Sequence, residues 1–319
     1  MIHFTEREAV RWARLGPRAT YGLVMNELVQ KNENVYVLSA DLGGSSGLQR
    51  LIKAYPERYY NVGIAEQNLI GVAAGMAKEG LIPFASSFAP FITMRCCDQI
   101  KMNMGYMQLN IKTVGLGSGI SMSDLGNSHY GIEDIAIMRA IPNIVVLSPA
   151  DCSEVAKCVF AAAEHNGPVY IRLTGVPGAP VVYKEDFDFQ IGKANILKEG
   201  KDFALVATGS MVATALKVSE CLAERGICCT VVDMHTIKPL DTEVLDYITS
   251  QCDTIVSLEE HSRIGGLGSA VNDYLIATHK TNKVYNIGLP DSYLKAGDYH
   301  YMLNEYGLSV DKVIQKIMV

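Results

Sequence analysis

The sequence predicts an α/β fold of two doubly wound domains with mainly parallel sheets. Three observations lead there. Short runs of β-branched and aliphatic residues recur along the 319-residue chain, continuous rather than alternating, as in strands buried on both faces. Between them lie longer segments with apolar residues at i, i+3, i+4 spacing, the period of helices that cover such sheets. The punctuation then changes at Thr174-Gly-Val-Pro-Gly-Ala-Pro180, and an acidic, aromatic stretch without helical period follows at 183–190. Domains are therefore expected at 1–180 and 191–319.

The first domain is read in order as a helix over 21–30, a strand at 35–40, a helix over 66–79, strands at 81–86, 111–116 and 144–148, a helix over 152–165 and a strand at 169–173. Ala150-Asp-Cys-Ser-Glu154 resembles a capped helix start, with acidic residues near the amino end. The second domain repeats the alternation, with strands at 203–208, 229–234, 254–258 and 283–287 and helices over 211–225 and 267–278. Gly265-Gly-Leu-Gly-Ser-Ala270 lacks the third glycine of a dinucleotide loop and is read as tight packing at a helix start.

Hydrophobic residues at 49% against charged residues at 19% can fill large cores, which argues against disorder. The net charge of −6, without a Lys/Arg-rich run, argues against nucleic acid or an anionic membrane as the partner. The opening MIHFTEREAVRWARLG has neither the apolar core nor the cleavage site of a secretory signal, and no apolar run is long enough to span a bilayer. Eight cysteines without a C-x-x-C suit reduced thiols in a cytoplasm.

Three segments carry chemistry. In Tyr60-Asn-Val-Gly-Ile-Ala-Glu-Gln-Asn68, Glu66 stands at the mouth of an otherwise apolar helix, and alone it would serve the helix dipole. Gly71 and Gly75 share one face of that helix and invite a close helix contact, within the chain or between subunits. Phe88 and Phe91, three apart before Arg95 and Asp98-Gln99, place two rings on one side of a helix start. Asp124-Leu-Gly-Asn-Ser-His129 sets a histidine in a polar loop ahead of a helix, where an acid/base group is well placed.

In this order, NVGIAEQN, FASSFAPF with its following R..DQI, H..IEDIA.MRAIPN and SLEEHSRIGGLGSAV resemble the transketolase family, in particular the C-terminal half of its split, two-subunit bacterial form. The resemblance covers nearly the whole chain. It implies a pyrimidine-binding domain followed by the transketolase C-terminal domain, and transfer of a two-carbon ketol unit from a ketose to an aldose with thiamine diphosphate and Mg²⁺. In that family a carboxyl matching Glu66 bonds the aminopyrimidine N1′, in a setting expected here to be apolar, and rings matching Phe88 and Phe91 stack on it. A histidine matching His129 meets the ketose. Arg18 and Ser45 match groups on the substrate phosphate, a task for which the planar guanidinium suits, and Asp124 occupies the position of a substrate-binding aspartate.

The departures concern the substrate tail. Where the family places a second phosphate arginine, Ile171-Arg-Leu-Thr-Gly175 has glycine, and Gly115-Leu-Gly-Ser-Gly119 lacks a further family histidine. A sugar phosphate, a sulfonate or an uncharged sugar would fit. No Gly-Asp-Gly occurs in the sequence, so the Mg²⁺ ligands, which must be hard oxygens, are expected from an N-terminal transketolase subunit in an α2β2 heterotetramer. The alternatives are the β subunit of a 2-oxo acid dehydrogenase E1 component, which shares Asp98-Gln99, a deoxyxylulose-phosphate-synthase-like activity, and a non-catalytic regulatory subunit.

Overall fold

A computed structural model describes residues 2–318. Its first half contains strands β1 (Val35–Ser39), β2 (Tyr59–Asn61), β3 (Ile82–Phe88), β4 (Lys112–Leu116), β5 (Val145–Leu147) and β6 (Val169–Arg172). The second half adds β7 (Asn195–Lys198), β8 (Phe203–Ala207), β9 (Cys229–Asp233), β10 (Thr236–Lys238), β11 (Thr254–Ser262) and β12 (Lys283–Leu289). They form a seven-stranded sheet in the order β10-β5-β6-β4-β3-β1-β2 and a five-stranded sheet in the order β12-β11-β8-β9-β7. Pairing is parallel except for β10 on β5 and β7 on β9. The α/β class and mostly parallel sheets expected from the apolar runs are what the chain adopts, with one edge strand borrowed: β10 comes from the second half and closes the first sheet.

Helices α1 (Glu6–Leu15), α2 (Pro17–Lys31), α3 (Gln49–Ala54), α4 (Glu66–Lys78), α5 (Ala89–Ile92), α6 (Cys97–Ile100), α7 (Asp134–Ala140) and α8 (Cys152–Glu164) surround the first sheet. The remaining helices, α9 (Met211–Ala223), α10 (Thr242–Gln251), α11 (Leu267–Ala277), α12 (Tyr299–Glu305) and α13 (Val310–Ile317), belong to the second half. Local chemistry sets their starts. Thr5 and Glu8 form a reciprocal capping box on α1, Pro17 opens α2, and the Asp151 carboxylate accepts the Glu154 amide at the head of α8.

The strands feed two layers. In β1, Val35 and Val37 pack with α2 and α8 on one face while Leu38 packs with Leu69, Ile70 and Ala73 of α4 on the other. Phe84 and Ala85 of β3 split in the same way. Both layers run on into the second sheet, which contributes Leu205 and Val231 to one and Ala204 and Val232 to the other. Truncating a fully buried Leu such as Leu69 in such a layer costs about 2–5 kcal/mol.

Among the described residues, a Cβ placed on Gly71 or Gly75 would meet no atom within 4 Å. The exposed α4 face carries them toward solvent, so the close helix contact anticipated from their spacing is not an intrachain one.

Candidate active site

The carboxyl ends of β6, β4, β3, β1 and β2 lie side by side, and the segment after each delivers part of one site. β2 leads to Glu66, the first residue of α4. β3 ends in Phe88 and turns into α5, which carries Phe91. β4 leads into the loop 117–131 with Asp124 and His129, β1 into the loop with Ser45, and β6 to Gly175.

The Glu66 carboxylate is 4% exposed. Its Oε2 accepts a hydrogen bond from Arg95 Nη1 at 2.8 Å, and its Oε1 accepts one from Ser87 Oγ at 3.5 Å. Arg95 is 46% exposed, and its guanidinium carbon lies 4.1 Å from the centre of the Phe91 ring. The surroundings of Glu66 are thus not the apolar ones anticipated: the short helices α5 and α6 leave Arg95 in the turn between them, reaching back over Phe91. Gln67 Nε2 donates to the Arg95 carbonyl at 3.2 Å and ties α4 to this turn.

Three rings meet beside Arg95, the partner of the carboxylate. Phe88 and Phe91 meet edge to face at 6.0 Å and 76°. The His129 imidazole lies 5.6 Å from Phe88 and 5.2 Å from Phe91, again edge to face. Its Nδ1 is 3.0 Å from Ser128 Oγ. Glu66, Phe88, Phe91 and His129, scattered over 64 positions in sequence, therefore form one cluster.

Arg18 and Ser45 line a neighbouring cavity of about 480 Å³ together with Gln49, Ser121 and Gly175. Burial pulls the Arg18 guanidinium below its ordinary pKa, and no carboxylate among the described residues pairs with it. The geometry depends on Gly22: a Cβ there would lie 2.0 Å from the Gly47 carbonyl oxygen, so only glycine lets the Ser45 loop lie against α2. Gly175 has φ +92, and its amide donates to Ser121 Oγ at 2.8 Å. Met122 lines the cavity, and a Cβ on Gly117 would touch both Met122 and Phe88, so the cavity adjoins the aromatic cluster. Asp124 lies exposed on the loop and outside the cavity wall. Among the described residues no group of three or more His, Cys, Asp and Glu side chains is placed to hold a metal ion.

Residues 15–175 match the family model "Transketolase, pyrimidine binding domain", and residues 192–313 match "Transketolase, C-terminal domain". The chain belongs to the transketolase family. Membership implies thiamine diphosphate as cofactor and a transferase chemistry. The chain is 42% identical over 305 residues, 95% of either chain, to a "Putative transketolase C-terminal section" of Methanocaldococcus jannaschii. It is 38% identical over 298 residues, 93% of this chain and 92% of the other, to "6-deoxy-6-sulfo-D-fructose transketolase subunit SqwH" of a Clostridium species, strain MSTE9. A solved structure described as "Split gene transketolase, inactive beta4 tetramer" superposes with a TM-score of 0.87 at 42% identity, over 95% of this chain and 97% of that one. No helix among the described residues is long and apolar enough to cross a membrane.

Two residues that the sequence motifs left without a role emerge here. Arg95 was visible in the FASSFAPF…R pattern, but its distance from Phe88 does not say which way a side chain in an interhelical turn points. Ser87 was hidden because alternate residues of a doubly covered strand all read as core.

Proposed function

We propose that this transketolase-family chain holds the aminopyrimidine of thiamine diphosphate and, with an N-terminal transketolase subunit, transfers a two-carbon ketol unit from a ketose to an aldose. One arrangement carries the reading. A flat, cationic N–C–N group, the Arg95 guanidinium, stacks on Phe91 while bonding the Glu66 carboxylate. A ring with the donor pattern of an aminopyrimidine asks for the same two surfaces, an aromatic face and a carboxylate at its edge, so the residues present fit the cofactor. When bound, thiamine diphosphate supplies a nucleophilic carbanion at its thiazolium carbon.

The chain's own side chains then have definite tasks. Glu66 would hydrogen-bond N1′ of the bound cofactor and so favour its imino tautomer, the form that can act as a base. Phe88 and Phe91 fix the plane of the ring and exclude water. His129, against both rings, meets the hydroxyl and carbonyl end of the ketose. Arg18 and Ser45 take the substrate tail, and Asp124 is proposed as a further substrate contact from the same loop. A single guanidinium in that cavity suits one anionic group, phosphate or sulfonate. Residues 1–180 would form the pyrimidine-binding domain and 191–319 the C-terminal domain. The diphosphate and Mg²⁺ would be held by the partner in an α2β2 assembly in the cytoplasm.

Calorimetric titration of thiamine diphosphate with Mg²⁺ tests the assembly, using this chain alone and then co-purified with the partner. Binding is expected only in the mixture; tight binding to the lone chain would overturn the shared site. In the assembled enzyme Glu66→Gln should lower turnover of a ketose–aldose pair by at least about 100-fold while leaving thermal unfolding unchanged. Turnover like that of the wild type would remove Glu66 from the mechanism.

A further inference from the structure

The loop that carries His129 is held by the other half of the molecule. Its neck is closed by Gly119 and Gly131, each amide donating to the other's carbonyl at 2.8 and 2.9 Å. Beyond the neck, several of its bonds go to residues of the C-terminal half. Asn127 Nδ2 donates to the Leu294 carbonyl at 2.7 Å, and the Leu294 amide donates to Asn127 Oδ1 at 2.8 Å. That reciprocal pair is what a neighbouring strand would make, supplied by one side chain. The buried Tyr130 hydroxyl lies 2.8 Å from the Lys295 carbonyl and 2.9 Å from the Ser123 carbonyl, with its single hydrogen to share between them. The Gly297 amide donates to Ser123 O at 3.2 Å. At the base, Glu260 Oε1 accepts the Ile120 amide at 2.7 Å while its Oε2 accepts the Tyr299 hydroxyl at 2.6 Å.

His129 itself faces the other way, its ring against Phe88 and Phe91 of the first half. Besides its ties to Leu173 and Gly175 at the base, the loop thus has its outer anchors in the C-terminal half and its working group against the first.

We infer that the C-terminal half serves the reaction as a clamp, and that Asn127 is a positioning residue: its pairing with Leu294 sets where His129 stands over the Phe88–Phe91 pair. The inference rests on the reading that His129 meets substrate. The loop's own bonds are short-range turns such as Leu125 N to Met122 O and His129 N to Gly126 O, which do not fix its tip against the rest of the molecule, and a displacement near 1 Å at a group beside a reacting carbon costs up to about 100-fold in rate. The C-terminal half contributes no side chain to the Glu66–Phe88–Phe91–His129 cluster, yet it determines the placement of one member.

Asn127 is exposed, so Asn127→Ala leaves the core intact. Tyr130→Phe, which keeps the ring and loses only the hydroxyl bonds, serves as the second variant. In the chain alone, the His129 ring protons should be shifted by the currents of the two Phe rings, identified by their disappearance in His129→Gln. In Asn127→Ala that shift should collapse and the amides of 118–131 should exchange at least about 10-fold faster, with those of α4 unchanged. In the assembled enzyme kcat should fall about 10-fold or more at unaltered thiamine diphosphate affinity, and the loss should vanish when Asn127→Ala is made on top of His129→Ala. An unmoved His129 signal with unchanged loop exchange, or losses that simply multiply in the double variant, would overturn the clamp. If His129→Ala alone leaves turnover untouched, it is the role of His129 that fails, and the ring shift still judges the clamp.

Discussion

At the scale of single residues, the contact between Arg95 and Glu66 has a measurable meaning. The guanidinium covers the face of Phe91 and uses the Glu66 oxygen, two surfaces proposed for the cofactor. Ordering the cofactor must then displace a half-exposed ion pair, an interaction worth roughly 0–1 kcal/mol at such exposure. Arg95→Met should therefore tighten thiamine diphosphate binding to the assembled enzyme by a factor of up to about 5, read by calorimetry. Weaker binding would mean that Arg95 supports Glu66 in the loaded state instead. Glu66, Phe88, Phe91 and His129 could be found in the sequence because each sits in a short segment whose pattern is distinctive. Their convergence could not be, since it depends on the order of β4, β3, β1 and β2 across the sheet.

At the scale of elements, legibility followed burial. Strands covered on both faces, such as β5 and β8, stand as continuous apolar runs and lie within a residue or two of their expected places. The edge strands β2, β7 and β10 have only one neighbour each and are three or four residues long, so nothing in their composition sets them apart from loops. Helix α1 was readable in principle from Thr5 and Glu8, whose capping box lies in a segment weighed only as a secretory signal. The contact between α2 and the Ser45 loop was not, because Gly22 looks like any helical glycine until Gly47 is seen against it. Gly22→Ala forces that loop away. The expected result is a loss of about 1–3 kcal/mol in denaturant unfolding, together with a KM that rises more for a phosphorylated ketose than for a neutral one. Equal KM changes for both would show that the loop does not serve the substrate tail.

At the scale of the whole molecule, the two halves share their core and also a pair of carboxyl groups. Glu154 of α8 and Asp233 of β9 are both fully buried and interact with each other, and Glu154 Oε1 and Asp233 Oδ1 have no hydrogen-bond partner among the described residues. Burial raises both above the ordinary carboxylate range, and Tyr183 donates to Asp233 Oδ2 at 2.6 Å. From about pH 4 upward the unfolded chain releases protons that the folded chain still binds, so this pair withdraws stability as pH rises toward neutrality. Asp233→Asn removes one of the two titrating carboxyls and offers Glu154 an amide donor. Melting temperatures followed between pH 5 and 8 should decline in the wild type and change less in the variant; parallel curves would show that the pair does not titrate in that window.

The borrowed strand β10 adds one more dependence between the halves. A sheet edge is where a chain can recruit strangers, because its amides and carbonyls stand ready for any extended segment. By turning back to lie on β5, the C-terminal half fills the position a second copy could otherwise take, and the linker at 174–180 joins two halves that share one sheet. Cutting there would part a sheet from its own margin.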